Sequence, residues 1–504
     1  MKRVALLALT IACAAKGPRP HRDALADVVF ARVVDEARSL ASHEFDRGDS
    51  DPMPETLASL DYQGYVGIQF RAAKNIRLGD GFAVQLFHRG GIYDRRVDIF
   101  VQPRDGEARK VAYDASLFDL GPALAGQSFP ADLGFAGLRV YHGTPKVSPE
   151  FLVMQGASYF RLVGDGQSYG ASARGVAVDT GLPHPEEFPE FFAFWLIEPE
   201  VGSKQLPIVA LLDGPSVTGA VRFVLEPGKT TVVDVEATIF VRKPVERLGL
   251  APLTSMFWHG SNGPADHSDD YRPQTHDSDG LLLRTKDEVG AYRPLVNGRD
   301  APRTSSFRVK DLHAFGLMQR ERNFAVYQDV ESRQEARPGL LIELAKPWSG
   351  AVHLYEIPTR NEYLDNIVAY LQPDPLPRQG ERIDIAYRIR TVGDDERAPI
   401  ARVVGTHIGP VDRLRPPDVP QPTWRIYVVD WRGDSLPRDP KVSVSAVVSA
   451  SSGAVVDPVV QYVPQTGGWR VWFEHRPDGD KPLEFRAYLE SGGRQVTETW
   501  LYGP

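Results

Sequence analysis

The chain has 504 residues, too many for one compact core, so two or three domains are expected. Apolar residues make up 42% and charged residues 25%, the balance of an ordinary globular protein. A net charge of −8, with no long Lys/Arg block, excludes nucleic acid as the main partner and suits a neutral ligand.

Lys2 and Arg3, the apolar run 4–12 and Ala12-Cys13-Ala14 read as a short export signal with a small-x-small cleavage site. The run is too short to span a bilayer. Residues 1–22 are therefore expected to be a signal and short leader. Cys13 is the only cysteine, so cleavage after Ala14 leaves no thiol and no disulfide. Acylation of Cys13 is a weaker alternative, since Thr10-Ile11-Ala12 lacks the usual leucine.

Residues 23–45 carry Val28, Val29, Ala31, Val33 and Val34 among Asp27, Arg32 and Asp35 at helical spacing. Residues 55–60 suit a short helical turn. Strands then dominate. Residues 65–70 alternate in part; 83–88 and 96–101 alternate better, and Gly90-Gly91 between them suits a hairpin turn. Runs 158–163, 206–212, 231–237, 351–357 and 383–389 continue the pattern, and 45 Gly with 41 Pro fit many turns. A large antiparallel sandwich is the expected architecture for 23–392. The acidic, Gly/Pro-bearing stretch 391–399 reads as a linker. Beyond it, 424–429, 442–448, 468–473 and 483–489 are the short strands of an immunoglobulin-like sandwich over 400–504. No fixed-period repeat is present.

Two acidic segments stand out. Asp269-Asp270-Tyr271-Arg272-Pro273 and His276-Asp277-Ser278-Asp279-Gly280 pack four aspartates and a histidine into a dozen residues. Glu362 and Asp365 are three apart and share a face if the local chain is helical. Two separated carboxylates could cleave a glycosidic bond, one protonating the leaving oxygen and one activating water. They could equally be solvated turns that cap backbone N–H groups. The spacing fits neither an EF-hand nor a zinc motif, so no metal or other cofactor is expected. There is no Gly-x-Ser-x-Gly elbow and no phosphate loop. Trp195, Tyr271, Tyr355 and other aromatics could stack on sugar rings, and most such residues are core. Arg272, His276 and Arg320 could donate to hydroxyls.

Several motifs in order carry a family resemblance. They include Gly156-Ala157-Ser158-Tyr159-Phe160-Arg161, the run 164–175, Glu186-Glu187-Phe188-Pro189, and Ala251-Pro252-Leu253-Thr254-Ser255-Met256. Tyr271-Arg272-Pro273 with 276–280, Gly316-Leu317-Met318-Gln319-Arg320, Ile357-Pro358-Thr359 and Asp365-Asn366-Ile367-Val368-Ala369-Tyr370 continue it. The chain resembles the periplasmic glucan biosynthesis proteins G and D over nearly its whole length after the signal. The resemblance implies a periplasmic protein of osmoregulated glucan formation, with a galactose-mutarotase-like β-sandwich followed by an immunoglobulin-like domain. It implies an inverting endo-β-1,2-glucanase in which the general acid corresponds to Asp365. The general base corresponds to Asp277, with Asp279 two residues away as the alternative, and Glu362 lies in the same acidic pocket. The partners implied are a β-1,2-linked glucan, with the inner-membrane glucan synthase and a second copy of the chain as further candidates. A non-catalytic glucan-binding protein, or an epimerase of the same fold, would use the same groove without the acid–base pair.

Overall fold

The computed structural model describes residues 23–46, 53–143, 150–263, 270–286, 290–298, 301–393, 398, 400–411 and 423–504. The signal and leader (1–22), Asp269, and most of the 391–399 linker (394–397 and 399) lie outside the described residues.

The chain is all-β apart from short helical pieces and one helix, Ala24–Ala41. Asp23 caps that helix by accepting the Ala26 N–H. Its Val29, Phe30, Val33 and Val34 stripe packs on Ala193, Trp195, Val209, Leu211, Ala220 and Phe240. This cover explains why the strand Leu206–Asp213 is buried at every position. One set of its side chains meets the helix, and Ile208, Ala210 and Leu212 join the main core.

Two sheets form the sandwich and share one long strand. In the first, Asp98–Gln102, Glu190–Ile197, Leu206–Asp213, Val217–Glu226, Val232–Val241 and Arg382–Val392 lie side by side. Arg382–Val392 then pairs with the first part of Gly339–Glu356. The second sheet runs Phe82–Phe87, Gly137–His142, Glu150–Gln155, Tyr159–Leu162, Ser172–Arg174, Leu248–Ser255 and Ile367–Gln372. That last strand pairs with the final part of Gly339–Glu356. Most of the apolar side chains of both inner faces meet in a single cluster.

The first sheet departs from the hairpin read at Gly90-Gly91. Phe82–Phe87 pairs with Gly137–His142, and Asp98–Gln102 runs parallel to Glu190–Ile197. Gly90 instead closes a tight loop by bridging Tyr93. Residues 65–70 are also mostly not strand. Asp61 accepts the Gly64 N–H and starts a short helix, Tyr62–Val66, leaving only Gln69–Phe70 extended.

After residue 400, Arg402–Pro410, Arg425–Arg432, Gly468–Arg476 and Ala454–Val463 form a four-stranded sheet. Ser445–Ala450, Phe485–Ser491 and Thr499–Tyr502 form the facing ladder. Trp431, Phe473, Phe485 and Trp500 fill the space between them. This core is continuous with Leu282, Tyr292, Ala314, Met318 and Leu341 of the large sandwich. The final strand, Thr499–Tyr502, also pairs in parallel with Ala291–Pro294.

Candidate active site

Directly opposed residues in a sheet share a face. One such row crosses the second sheet: Gln85, Arg139, Val153, Arg161, Ser172, Thr254, Val368, Tyr355 and Thr304. Arg161 and Tyr355 therefore stand on the same side, and Tyr159 and Arg174, opposed to each other, follow on that side two residues along.

The two acidic segments meet over this face through Asn366. Its fully buried side chain accepts the Phe257 N–H at 2.8 Å and donates to the Phe257 carbonyl at 3.0 Å and the Ile357 carbonyl at 2.8 Å. Phe257 is opposed to His276, and the Asp277 N–H donates to the Met256 carbonyl at 2.8 Å. Asp365 precedes Asn366 and Asp277 follows His276, so the same clasp brings both carboxylates together. Asp365 lies 3.5 Å from the Arg161 guanidinium, with its side chain 35% exposed. Asp277 is buried and ion-paired with Arg337. Gly170 makes room for Arg337, because a Cβ there would sit 3.0 Å from the arginine Cβ.

Burial pushes the Asp277 carboxyl above its ordinary range. Arg337 opposes this, the nearby Asp365 charge adds to it, and Arg161 opposes it. Asp277 thus feels the Asp365 charge, and Arg161 acts on Asp277 while pairing with Asp365. The same Asp365 charge reaches the Tyr159 hydroxyl, which burial already raises. Beside it, Arg174 lies 4.9 Å from the Tyr159 ring centre and pairs with Glu186.

Asp279 has different surroundings. It accepts the Tyr292 hydroxyl and the backbone N–H groups of Arg320 (2.6 Å) and Glu321 (2.9 Å). Three donors make it an anchor for the chain rather than a carboxylate open to a ligand.

Glu362 and Arg272 form part of a single hub. The Arg272 guanidinium donates to Glu362 at 2.9 and 3.2 Å, to Asp270 at 2.7–3.1 Å and to Asp329 at 2.9 Å. It is nearly buried, and the hydrogen bonds to Asp270 lead in holding its proton more tightly than usual. Arg272 therefore fixes the rim segments to one another. Next to this hub, Tyr271 and Tyr363 stand out as exposed rings, 75% and 93% accessible.

Of the remaining candidates Tyr355 shares the Arg161 side of the sheet and the others lie elsewhere. His276 has no exposure, stacks on Phe257 at 5.5 Å and places its ring nitrogens against Gln319 and Gln274. Burial lowers its proton affinity. Trp195 is buried under the N-terminal helix, stacked on Phe100 at 5.1 Å. Arg320 lies 3.8 Å from the Tyr292 ring centre and donates to Glu498 at 2.8 and 2.9 Å. Tyr355 is half-buried beside Gly181, and burial raises its hydroxyl. The sequence reading did not single out Arg161, Arg337, Tyr159 or Arg174 as site residues. Two of the motifs quoted above contain Tyr159, Arg161 and Arg174; Arg337 has no such signal. Among the described residues no group of three or more His, Cys, Asp and Glu is placed to hold a metal ion.

Comparison with known proteins agrees with the family resemblance of the motifs. The family described as periplasmic glucan biosynthesis protein, MdoG, matches residues 29–503. Glucans biosynthesis protein G of Bradyrhizobium diazoefficiens is 43% identical over 474 residues, covering 92% of this chain and 91% of that protein. Glucans biosynthesis protein G of Ralstonia nicotianae is 39% identical, covering 93% and 94%. Glucans biosynthesis protein D 1 of the same organism is 39% identical, covering 92% and 89%. With so much of both chains aligned, this chain belongs to the periplasmic glucan biosynthesis protein family, MdoG.

Proposed function

We propose that this protein works in the periplasm as an endo-acting hydrolase that trims the β-1,2-linked backbone of an osmoregulated glucan. Asp365 is the general acid. It is the more accessible of the two carboxyls, within reach of a sugar laid over it. Asp277 is the general base. Its burial raises its affinity for a proton, and Arg337 keeps it ionised until water is deprotonated. Attack from the face opposite the leaving oxygen gives an inverted, α-configured product. Tyr271 and Tyr363 supply exposed rings for sugar C–H faces near the rim.

The observation that carries this reading is the Asn366 clasp, which holds the turn of Asp365 against the strand beside Asp277, with Arg161 pairing with Asp365. Incubating the purified protein with linear β-1,2-glucan tests it. Shorter sugars are expected from the wild type. Asp365→Asn is expected to cut about 10²–10⁴-fold more slowly while still binding the polymer. A wild type that binds glucan and never shortens it overturns hydrolysis.

A second reading has its own support. Asp277 and Glu362 are both held by arginines. A non-catalytic protein that grips the glucan during backbone synthesis or branching would use such a pre-neutralised groove. It predicts tight binding with no cleavage and no effect of Asp365→Asn on product size.

A further inference from the structure

The face that bears Arg161 also bears Arg139, which lines a hollow of about 260 Å³. Tyr62, Tyr65 and Tyr93 stand on one side, and Gln69, Arg139 and Gln155 add polar groups. Three features distinguish it from an ordinary surface dent. Tyr62 is 76% exposed, although a ring of that size usually covers itself in a fold with so much strand surface. Tyr65 and Tyr93 lie 4.9 Å apart, and Gln155 donates to the Tyr65 hydroxyl at 2.5 Å, so two of the rings are held in place. Arg139 is fixed in turn by its Nε–H to Gln85 at 3.0 Å, and it lies 5.5 Å from the centre of the Phe87 ring. Rigid aromatic rings beside amide and guanidinium donors are what an uncharged pyranose ring needs. Its C–H face meets the ring and its hydroxyls meet the donors.

The position follows from the register. Arg139 is opposed to Val153 and Val153 to Arg161, so the hollow is two strands from the Asp365 partner on the same face. At strand spacing that is about 10 Å. A single sugar bound at the carboxylates does not reach it, and a longer chain does. Tyr93 and Gln155 also line an adjoining hollow of about 130 Å³.

Resting on the glucan reading above, we propose that this Tyr62–Tyr65–Tyr93 hollow is a distal subsite holding a glucose unit of the same β-linked chain. It makes the protein select long polymer over short fragments. Products that no longer span from the carboxylates to the tyrosines lose this contact and leave, so trimming stops before the glucan becomes small sugars.

The test compares a long linear β-1,2-glucan with β-1,2-glucobiose, which has one sugar on each side of its single bond, using the full chain. Tyr62→Ala, with an exposed side chain, and the double variant with Tyr93→Ala are measured beside Tyr62→Phe. Loss of one aromatic platform is expected to weaken binding and raise KM for the long glucan about five- to tenfold. kcat and all constants for the disaccharide stay unchanged, and Tyr62→Phe behaves as wild type. Variants that are folded, with wild-type melting, and that bind long glucan as wild type does overturn the subsite alone. A wild type that binds no long glucan overturns the functional reading, and the subsite with it.

Discussion

The Asn366 side chain closes a two-point hydrogen bond on the backbone of Phe257, at 2.8 and 3.0 Å. It ties the turn that carries Asp365 to the strand opposed to His276. Asn366→Ala takes a hydrogen bond from one backbone N–H and two carbonyls, an expected cost of about 1–3 kcal/mol. Glucan cleavage should fall by more than the stability loss explains, because Asp365 is no longer held beside Asp277. Thermal melting together with kcat on a long glucan checks this. Full kcat in a destabilised variant would show that the clasp does not position the acid.

Arg337 is the counter-charge of Asp277, and removing it should move the pH profile. The arginine holds the Asp277 proton affinity down against burial and the Asp365 charge. In Arg337→Ala the carboxyl titrates higher still. The low-pH limb of kcat/KM, where the base becomes protonated, should shift to higher pH. Arg337→Lys should shift it less. An unmoved limb would remove Asp277 from the role of base.

Two groups set opposite ends of an acid-stability profile. Hydrogen bonds from Arg272 hold the Asp270 carboxyl down at about 2. A depressed carboxylate stabilises the fold above its unfolded value near 4 and loses that contribution as pH falls toward 2. His353, buried against Tyr370, is held down at about 4, with burial the main cause and the Arg247 charge second. The unfolded chain binds that proton first, so this contribution is present above about 6.5 and fades between 6.5 and 4. Melting temperature against pH should therefore decline in two stages. Asp270→Asn should abolish the lower stage and His353→Phe the upper one.

Trp195→Ala separates packing from sugar contact. The ring is buried between Phe100 and the N-terminal helix. Its loss should cost about 3–5 kcal/mol, read from denaturant unfolding. Glucan affinity of the folded fraction should stay at the wild-type value. A selective loss of affinity would place Trp195 in the groove instead.

Much of the strand content was legible from residue patterns because alternation and turn residues report on local chain geometry. The helix at Ala24–Ala41 was legible for the same reason. Long-range pairing was not. Nothing in 83–101 tells that Asp98–Gln102 will find Glu190–Ile197 rather than its neighbour. At 65–70 the apolar alternation outweighed a better signal, Asp61 followed by Gly64 at capping distance. For the site, composition yielded two acidic clusters and no more. That Asp277 and Asp365 belong together came from the motifs. Their arginines, 161 and 337, lie far off in the chain and become partners only through the fold.

Glu498 stands six residues before the end of the chain and is the buried acid that answers Arg320, whose own N–H is held by Asp279. Losing this acid breaks a buried ion pair whose arginine is tied through its backbone to Asp279, two residues from Asp277 in the chain. Breaking such a pair costs about 3–5 kcal/mol. The sheet built after residue 400 therefore braces the acidic loop of the large sandwich, and a change that loosens the one should be felt in the other.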